Sequence, residues 1–105
     1  MEAVKIKEIL NLHNLYNKTY GKKGELADFS NLDLRNANFS NADCRNADFS
    51  NANFSNADCT FADFRYADCR YADFSNADCR YADCTSADFS NAETTNVETN
   101  KQRSL

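Results

Sequence analysis

The sequence predicts a repeat solenoid that is preceded by one amphipathic helix. From residue 27 onward the chain repeats every five residues, and the register is unbroken as far as Asn91. Within each five-residue unit only the first and third positions are regularly apolar. The first 20 residues lack this period and instead carry apolar side chains three and four positions apart. A short fixed period is typical of solenoids, in which each unit packs only against its neighbours.

The N-terminal segment, residues 1–26, is predicted to form a capping helix and a turn. Apolar residues recur at helical spacing over residues 2–19, from Val4 to Tyr16, and the pattern ends before Gly21 and Gly24. The first turn of a solenoid would otherwise expose its apolar cross-section, so we expect this helix to cover it. A detachable helix that binds a partner is the alternative. His13, the single histidine, lies on this helix, where a structural or surface role is favoured.

The repeat segment spans residues 27–101 and leaves a short tail at residues 102–105. Thirteen successive units are well formed, and the last two, which begin at Ala92 and Val97, are weaker. A period of five matches neither a strand nor a helix, so the backbone must turn once in each unit. The absence of Gly and Pro from the repeat indicates turns that ordinary residues tolerate, helped by Asn and Asp.

The repeated unit, Ala-(Asp/Asn)-(Phe/Cys/Leu)-(Ser/Thr/Arg)-x, resembles the pentapeptide-repeat family. That resemblance implies an all-β solenoid, a right-handed quadrilateral β-helix with four units in each coil. The repeat segment would then form about 3.75 coils, with residues 20 apart stacked on one another.

The third position of each unit is predicted to point into the solenoid and form its core. Between Phe54 and Cys79 this position alternates between Phe and Cys, which places two large and two small side chains in each four-sided coil. Such an alternation fills a fixed cross-section without voids. The predicted core consists of Phe29, Leu34, Phe39, Cys44, Phe49, Phe54, Cys59, Phe64, Cys69, Phe74, Cys79, Cys84 and Phe89.

The five cysteines follow the repeat and match no zinc-ligand spacing, and their number is odd. We therefore expect free, inward thiols and a reducing environment. The N-terminus lacks the apolar stretch of a signal peptide, since Lys5, Lys7 and Glu8 interrupt it, and this favours a cytoplasmic location.

Composition narrows the classes of function. The apolar runs fall short of the ~20 residues of a membrane-spanning helix, and the net charge of −4 argues against nucleic acid or an anionic membrane as a direct partner. The sequence contains no serine elbow, no Gly-rich phosphate loop and no Cys–His pair. We therefore expect no enzymatic activity, no cofactor and no metal site.

The outward positions carry two features that could bind a partner. Asp43, Asp63 and Asp83 stack in one column, within a repeat segment that holds 13 acidic and 6 basic residues. Like charges about 5 Å apart should repel, raise the carboxyl pKa values and make added salt stabilising. The second feature is a group of outward aromatic residues, Phe61, Tyr66, Tyr71 and Tyr81.

These features predict a non-catalytic structural or protein-interaction module, contacting another protein through the aromatic residues and the aspartate column. A simpler interpretation is that the polar faces only keep the solenoid soluble. The family resemblance adds an alternative, an acidic rod that mimics DNA and binds DNA gyrase. The exposed C-terminal end of the repeat predicts a monomer, or a weak dimer through that end.

Overall fold

In the computed structural model, which describes residues 1–100, the chain forms one helix followed by a solenoid. The helix, α1, spans Ala3–Lys18, in agreement with the predicted residues 2–19. It ends in a Schellman motif, in which Gly21 N–H donates to the Tyr16 carbonyl at 2.8 Å. The remaining predicted segments, Lys101 of the repeat and the tail at 102–105, lie outside the described residues.

The connection to the solenoid passes directly under α1. Glu25 N–H donates to the Leu12 carbonyl at 3.1 Å. Gly24 lies at this close approach with φ of +76°, and a Cβ there would come within 2.2 Å of the Leu12 oxygen. Glycine is therefore required at this position, both for its backbone conformation and for the space.

The solenoid is held together by parallel pairing between residues 20 apart. Eleven such bridges run from Asp28–Asp48 to Asp78–Glu98, and each face contributes a single paired residue at each level. Phe29 N–H, for example, donates to the Asp48 carbonyl at 2.7 Å, and Asp48 N–H donates to the Ala27 carbonyl at 3.0 Å. This separation agrees with the four units per coil that the resemblance implied.

Each unit turns at its fifth position, where the backbone is left-handed. These residues have φ values between 57° and 65°, from Asn31 to Asn96. The corners of the described repeat contain no Gly, in agreement with the prediction, but their left-handed backbone was not predicted. A left-handed corner disfavours most side chains, and Asn is the least disfavoured after Gly, which explains why Asn occupies most corners.

Aromatic rings form a continuous stack through the solenoid interior. The rings of Phe54 and Phe74, on the same face of successive coils, are parallel with centroids 4.6 Å apart. Phe64, from the opposite face, meets Phe54 edge to face at 6.3 Å. The cysteines Cys59 and Cys69 occupy the intervening positions and are also fully buried. Large and small side chains thus alternate from Phe54 to Cys79 and fill this part of the interior.

The two ends of this core differ in exposure. At the N-terminal end Phe29, Leu34, Phe39 and Cys44 are fully buried although no coil lies beneath them, because the N-terminal segment covers them. Two predicted core residues at the other end, Cys84 and Phe89, are only partly buried, and Thr94 is exposed. They belong to the last turn of the described solenoid, so fewer side chains surround them.

Thiol labelling will distinguish the four buried cysteines from Cys84, which lies at the more exposed end of the core. Burial raises the pKa of the Cys44 and Cys69 thiols well above its ordinary value and also blocks access to them. With Ellman's reagent we expect five thiols in denaturant and essentially none within the first minutes under native conditions. Cys84, which is partly exposed, should react first. Rapid native labelling of several thiols would contradict the inward orientation.

Candidate interaction surface

The second position of each unit is an Asp or Asn because its side chain supports the turn. In most units its Oδ1 atom accepts a hydrogen bond from the backbone N–H two residues later, as in Asp48 and Ser50 at 2.9 Å. The Ser50 hydroxyl donates to the same oxygen at 2.7 Å. An apolar residue at this position would leave that N–H without its side-chain acceptor, so the carboxylates first serve the fold.

Where Arg occupies the fourth position, it forms a two-pronged pair with the Asp of its own unit. Arg65 Nε and Nη2 both donate to the Asp63 carboxylate, the latter at 2.7 Å. Arg45 binds Asp43 in the same way, with Nη2 at 2.9 Å. Both Arg Nε atoms also lie 3.9 Å from the aspartate of the next coil, Asp63 for Arg45 and Asp83 for Arg65.

We call this column the Asp–Arg ladder; it consists of Asp43, Arg45, Asp63, Arg65 and Asp83. All three aspartates that the sequence singled out therefore lie on one face, as the column arithmetic required. The sequence analysis did not predict that Arg45 and Arg65 pair with these aspartates. The detectable signal was the recurrence of Arg two residues after Asp in the same unit.

The expectation that the stacked aspartates have raised pKa values is wrong. Hydrogen bonds from Arg45 lower the pKa of the Asp43 carboxyl, and those from Ser30 lower the pKa of Asp28. The bonds that Arg35 donates lower the pKa of Asp33 to about 2. Donors in the same unit outweigh the repulsion between coils, because they are closer and directed at the carboxylate oxygens.

Acid is therefore expected to destabilise the solenoid. Carboxyl groups with lowered pKa values stabilise the fold above their ordinary value of 3.8, and this is lost as the pH falls through the folded-state value, about 2 for Asp33. The melting temperature should fall most steeply between about pH 4 and pH 2. Added salt should leave it unchanged or lower it, since salt screens the Asp–Arg attraction. Circular dichroism melts in a pH and salt series measure both effects, and stabilisation by salt would support repulsion.

Four corners carry a bulky aromatic residue where Asn is usual. Phe61, Tyr66, Tyr71 and Tyr81 have φ values of 60° to 62°. Their side chains project into solvent and remain between 57% and 64% exposed. The rings of Phe61 and Tyr81, at the same corner of successive coils, are stacked with centroids 4.9 Å apart. These side chains are therefore not part of the core.

The structure places three of these aromatic residues beside the Asp–Arg ladder. The flat side of the coil that carries the Asp–Arg ladder begins after the corner of Phe61 and Tyr81 and ends at the corner of Tyr66. Tyr71 lies one corner further along the chain. We call the ladder together with Phe61, Tyr66 and Tyr81 the ladder face; it combines fixed charges with two exposed aromatic edges.

Two further features bear on what this chain can bind. Within residues 1–100, no group of three or more His, Cys, Asp or Glu side chains is arranged to hold a metal ion. The single helix in the same range lacks the length and hydrophobicity needed to span a bilayer.

Comparisons with known proteins place the repeat segment in a family. The sequence matches the family model for pentapeptide repeats over residues 27–58, 42–78 and 57–93. No curated protein matches the sequence.

Three solved structures that resemble the chain are pentapeptide repeat proteins. One from Nostoc is 28% identical, with 87% of this chain and 74% of that chain covered and a TM-score of 0.47. One from Cyanothece is 21% identical, with 78% and 66% covered and a TM-score of 0.39. One from the Arabidopsis thaliana thylakoid lumen is 27% identical, with 69% and 61% covered and a TM-score of 0.40. On the strength of the family-model match, the chain belongs to the pentapeptide-repeat family.

Proposed function

We propose that this chain is a non-catalytic module that binds another protein through its aromatic corners and the ladder face. The observation that carries the proposal is the position of Phe61, Tyr66, Tyr71 and Tyr81 in left-handed backbone with exposed side chains. A bulky residue in this conformation is strained, and the other units show that Asn fits the same corner. Strain that the fold does not need is typical of functional positions.

Neighbouring Arg and Tyr residues on three faces of the solenoid, the ladder face among them, support a role as a protein interface. Tyr and Arg are enriched among the residues that contribute most to protein–protein binding, and here they are adjacent in Arg65-Tyr66, Arg70-Tyr71 and Arg80-Tyr81. The Asp partners hold these guanidinium groups in place before binding, as with Arg70 and Asp68 at 2.8 Å. Less side-chain entropy is then lost when a partner docks.

The alternative, DNA mimicry toward gyrase, has less support from this surface. A DNA mimic would present unpaired negative charge, whereas five aspartates are neutralised by Arg within the same unit: Asp33, Asp43, Asp63, Asp68 and Asp78. A gyrase supercoiling assay with the added protein tests this alternative directly, and inhibition would favour it.

Corner substitutions separate the folding role of these residues from their binding role. Replacing Tyr66 or Tyr71 with Asn should raise the free energy of unfolding by up to about 1 kcal/mol, because it relieves the left-handed strain. Replacing Tyr81 should be nearly neutral, since the relief is offset by loss of the stack on Phe61. Urea unfolding measures these changes, and clear destabilisation at Tyr66 or Tyr71 would show that the rings serve the fold.

The binding test uses a variant in which all four aromatic corners are Asn. Quantitative crosslinking in extracts of the source cells should identify a protein that the native chain retains and this variant loses. Asn56→Ser combined with Asn76→Ser, at the corner that carries no aromatic residue, is the matched control and should retain the same protein. The proposal is wrong if the four-Asn variant and the native chain retain the same proteins.

A further inference from the structure

The single histidine is buried between α1 and the start of the solenoid. His13 is fully buried, and its Nδ1 atom accepts a hydrogen bond from Ala27 N–H at 2.9 Å. Because a backbone N–H can only donate, Nδ1 must be unprotonated and the ring proton must lie on Nε2. The Nδ2 atom of Asn17 lies 3.1 Å from Nε2, and the backbone carbonyl of Arg45 can accept a hydrogen bond from the ring. The docked helix thus requires a neutral ring of one defined tautomer.

We propose that His13 is an acid-sensitive latch, which holds α1 on the first turn of the solenoid while its ring is neutral and releases α1 when the ring is protonated. A proton on Nδ1 would place an N–H group against Ala27 N–H. The hydrogen bond would be lost, and two donors would face each other in a buried site.

The groups around the ring shift the pKa of His13 in both directions, and the effect of burial is the largest. Burial of the ring lowers the pKa of His13 below its ordinary value of 6.5, and the Arg45 guanidinium acts in the same direction. The Asp43 carboxylate and the Arg45 backbone carbonyl favour the charged ring but do not reverse the effect of burial. Asp43 is itself paired with Arg45, so much of its charge is already compensated.

Besides His13, α1 is held by the buried Ile6, by Ile9 and Leu10, which pack partly buried against the core, and by the hydrogen bond from Glu25 N–H to the Leu12 carbonyl. Ile6 and His13 are the only residues of the helix that are fully enclosed. A groove of about 660 Å³ separates the N-terminal half of α1 from the first turn of the solenoid, between Ile6, Leu10, Ala37 and Ala42. Asn17 adds only a long hydrogen bond of 3.4 Å to the Arg45 carbonyl. His13 is therefore one of two fully enclosed side chains of α1, and it lies in the half of the helix away from this groove.

The direction of the pH effect follows from the lowered pKa. When the helix is released, the ring is exposed and takes up a proton more readily than when it is docked. The docked state is therefore fully favoured above about pH 6.5 and weakens as the pH falls toward the docked-state pKa. Within that window the ratio of released to docked helix should rise about tenfold for each pH unit, as the linkage of one proton requires.

The experiment follows the ring and the helix separately in the intact chain. Because the chain has one histidine, its imidazole NMR signals are unambiguous. At pH 7.5 they should show the neutral Nε2–H tautomer, and their titration midpoint should lie below 6.5. Hydrogen-exchange protection factors of the α1 amides should fall about tenfold per pH unit across the same range. Amides deep in the solenoid, such as those of Phe54 and Phe64, should keep their protection.

The matched variant is His13→Gln, whose side chain cannot be protonated in this range. If its helix docks, the protection factors of α1 should not vary with pH, apart from any change shared with the solenoid. If its helix does not dock, the proposal is tested by comparing the ring titration of the native chain with the loss of its α1 protection. The proposal is overturned by an Nδ1–H tautomer at neutral pH, by a midpoint at or above 6.5, or by equal acid loss of α1 protection in the docked variant. Protection that persists after the ring is protonated would overturn it as well.

Discussion

Replacing Phe54 with Ala is expected to lower the free energy of unfolding by about 3–5 kcal/mol, a large fraction of the stability of a small domain. Phe54 is fully buried and contacts four other rings. Its centroid lies 4.6 Å from that of Phe74, 4.9 Å from Phe49 and 5.1 Å from Phe39. Truncation to Ala leaves a cavity at this position. Because backbone pairing fixes the coils above and below, the cavity cannot close, and each of the four neighbouring rings loses a contact.

The same substitution at an exposed phenylalanine is the control. Phe61 is 59% exposed and contacts only one ring, that of Tyr81. Phe61→Ala should change the free energy of unfolding by less than about 1 kcal/mol. Urea denaturation of both variants measures the difference. Similar losses at the two positions would mean that the interior rings are packed no more tightly than the corner pair.

Removing residues 1–20 is expected to cause aggregation of the remaining solenoid. The deletion would uncover the fully buried side chains of Phe29, Leu34, Phe39 and Cys44, together with the unpaired backbone groups of the first turn. An exposed apolar strand edge is a template for pairing with another chain. Size-exclusion chromatography should show large oligomers where the full chain gives a single discrete species. A soluble monomer with an unchanged far-ultraviolet spectrum would show that the helix is not needed as a cap.

A pair of point variants tests the same idea without removing the segment. Ile6 is 4% exposed and belongs to the core cluster, whereas Val4, two residues earlier on the same helix, is 66% exposed. Ile6→Asp places a charge in the interface between helix and solenoid, which is strongly unfavourable, and should increase aggregation. Val4→Asp adds the same charge on the solvent side and should behave like the native chain.

Much of the architecture was predictable because the repeat is so regular. The unbroken period identified a solenoid, and the spacing of apolar residues identified the helix that the structure places at Ala3–Lys18. The number of units per coil could not be predicted from the period, since units of five residues can form coils with different numbers of sides. It came from the family resemblance, which also implies the right-handed winding, and the pairing of residues 20 apart agrees with it.

The sequence by itself determined which two positions of each unit face inward, because the side chains of a regular repeat return to the same place in every unit. Which residues share a column followed only once the resemblance supplied four units per coil. The protonation and strain of those residues were decided only by the tertiary structure. Stacked aspartates suggested repulsion, but bonds from Arg45 and Ser30 lower the pKa values of Asp43 and Asp28. For His13 the sequence favoured a structural or surface role without indicating its partner, because Ala27 N–H lies 14 residues away and meets the ring only once the chain folds back under α1. A period records position along a coil, whereas pKa values and hydrogen bonds depend on the atoms around each group.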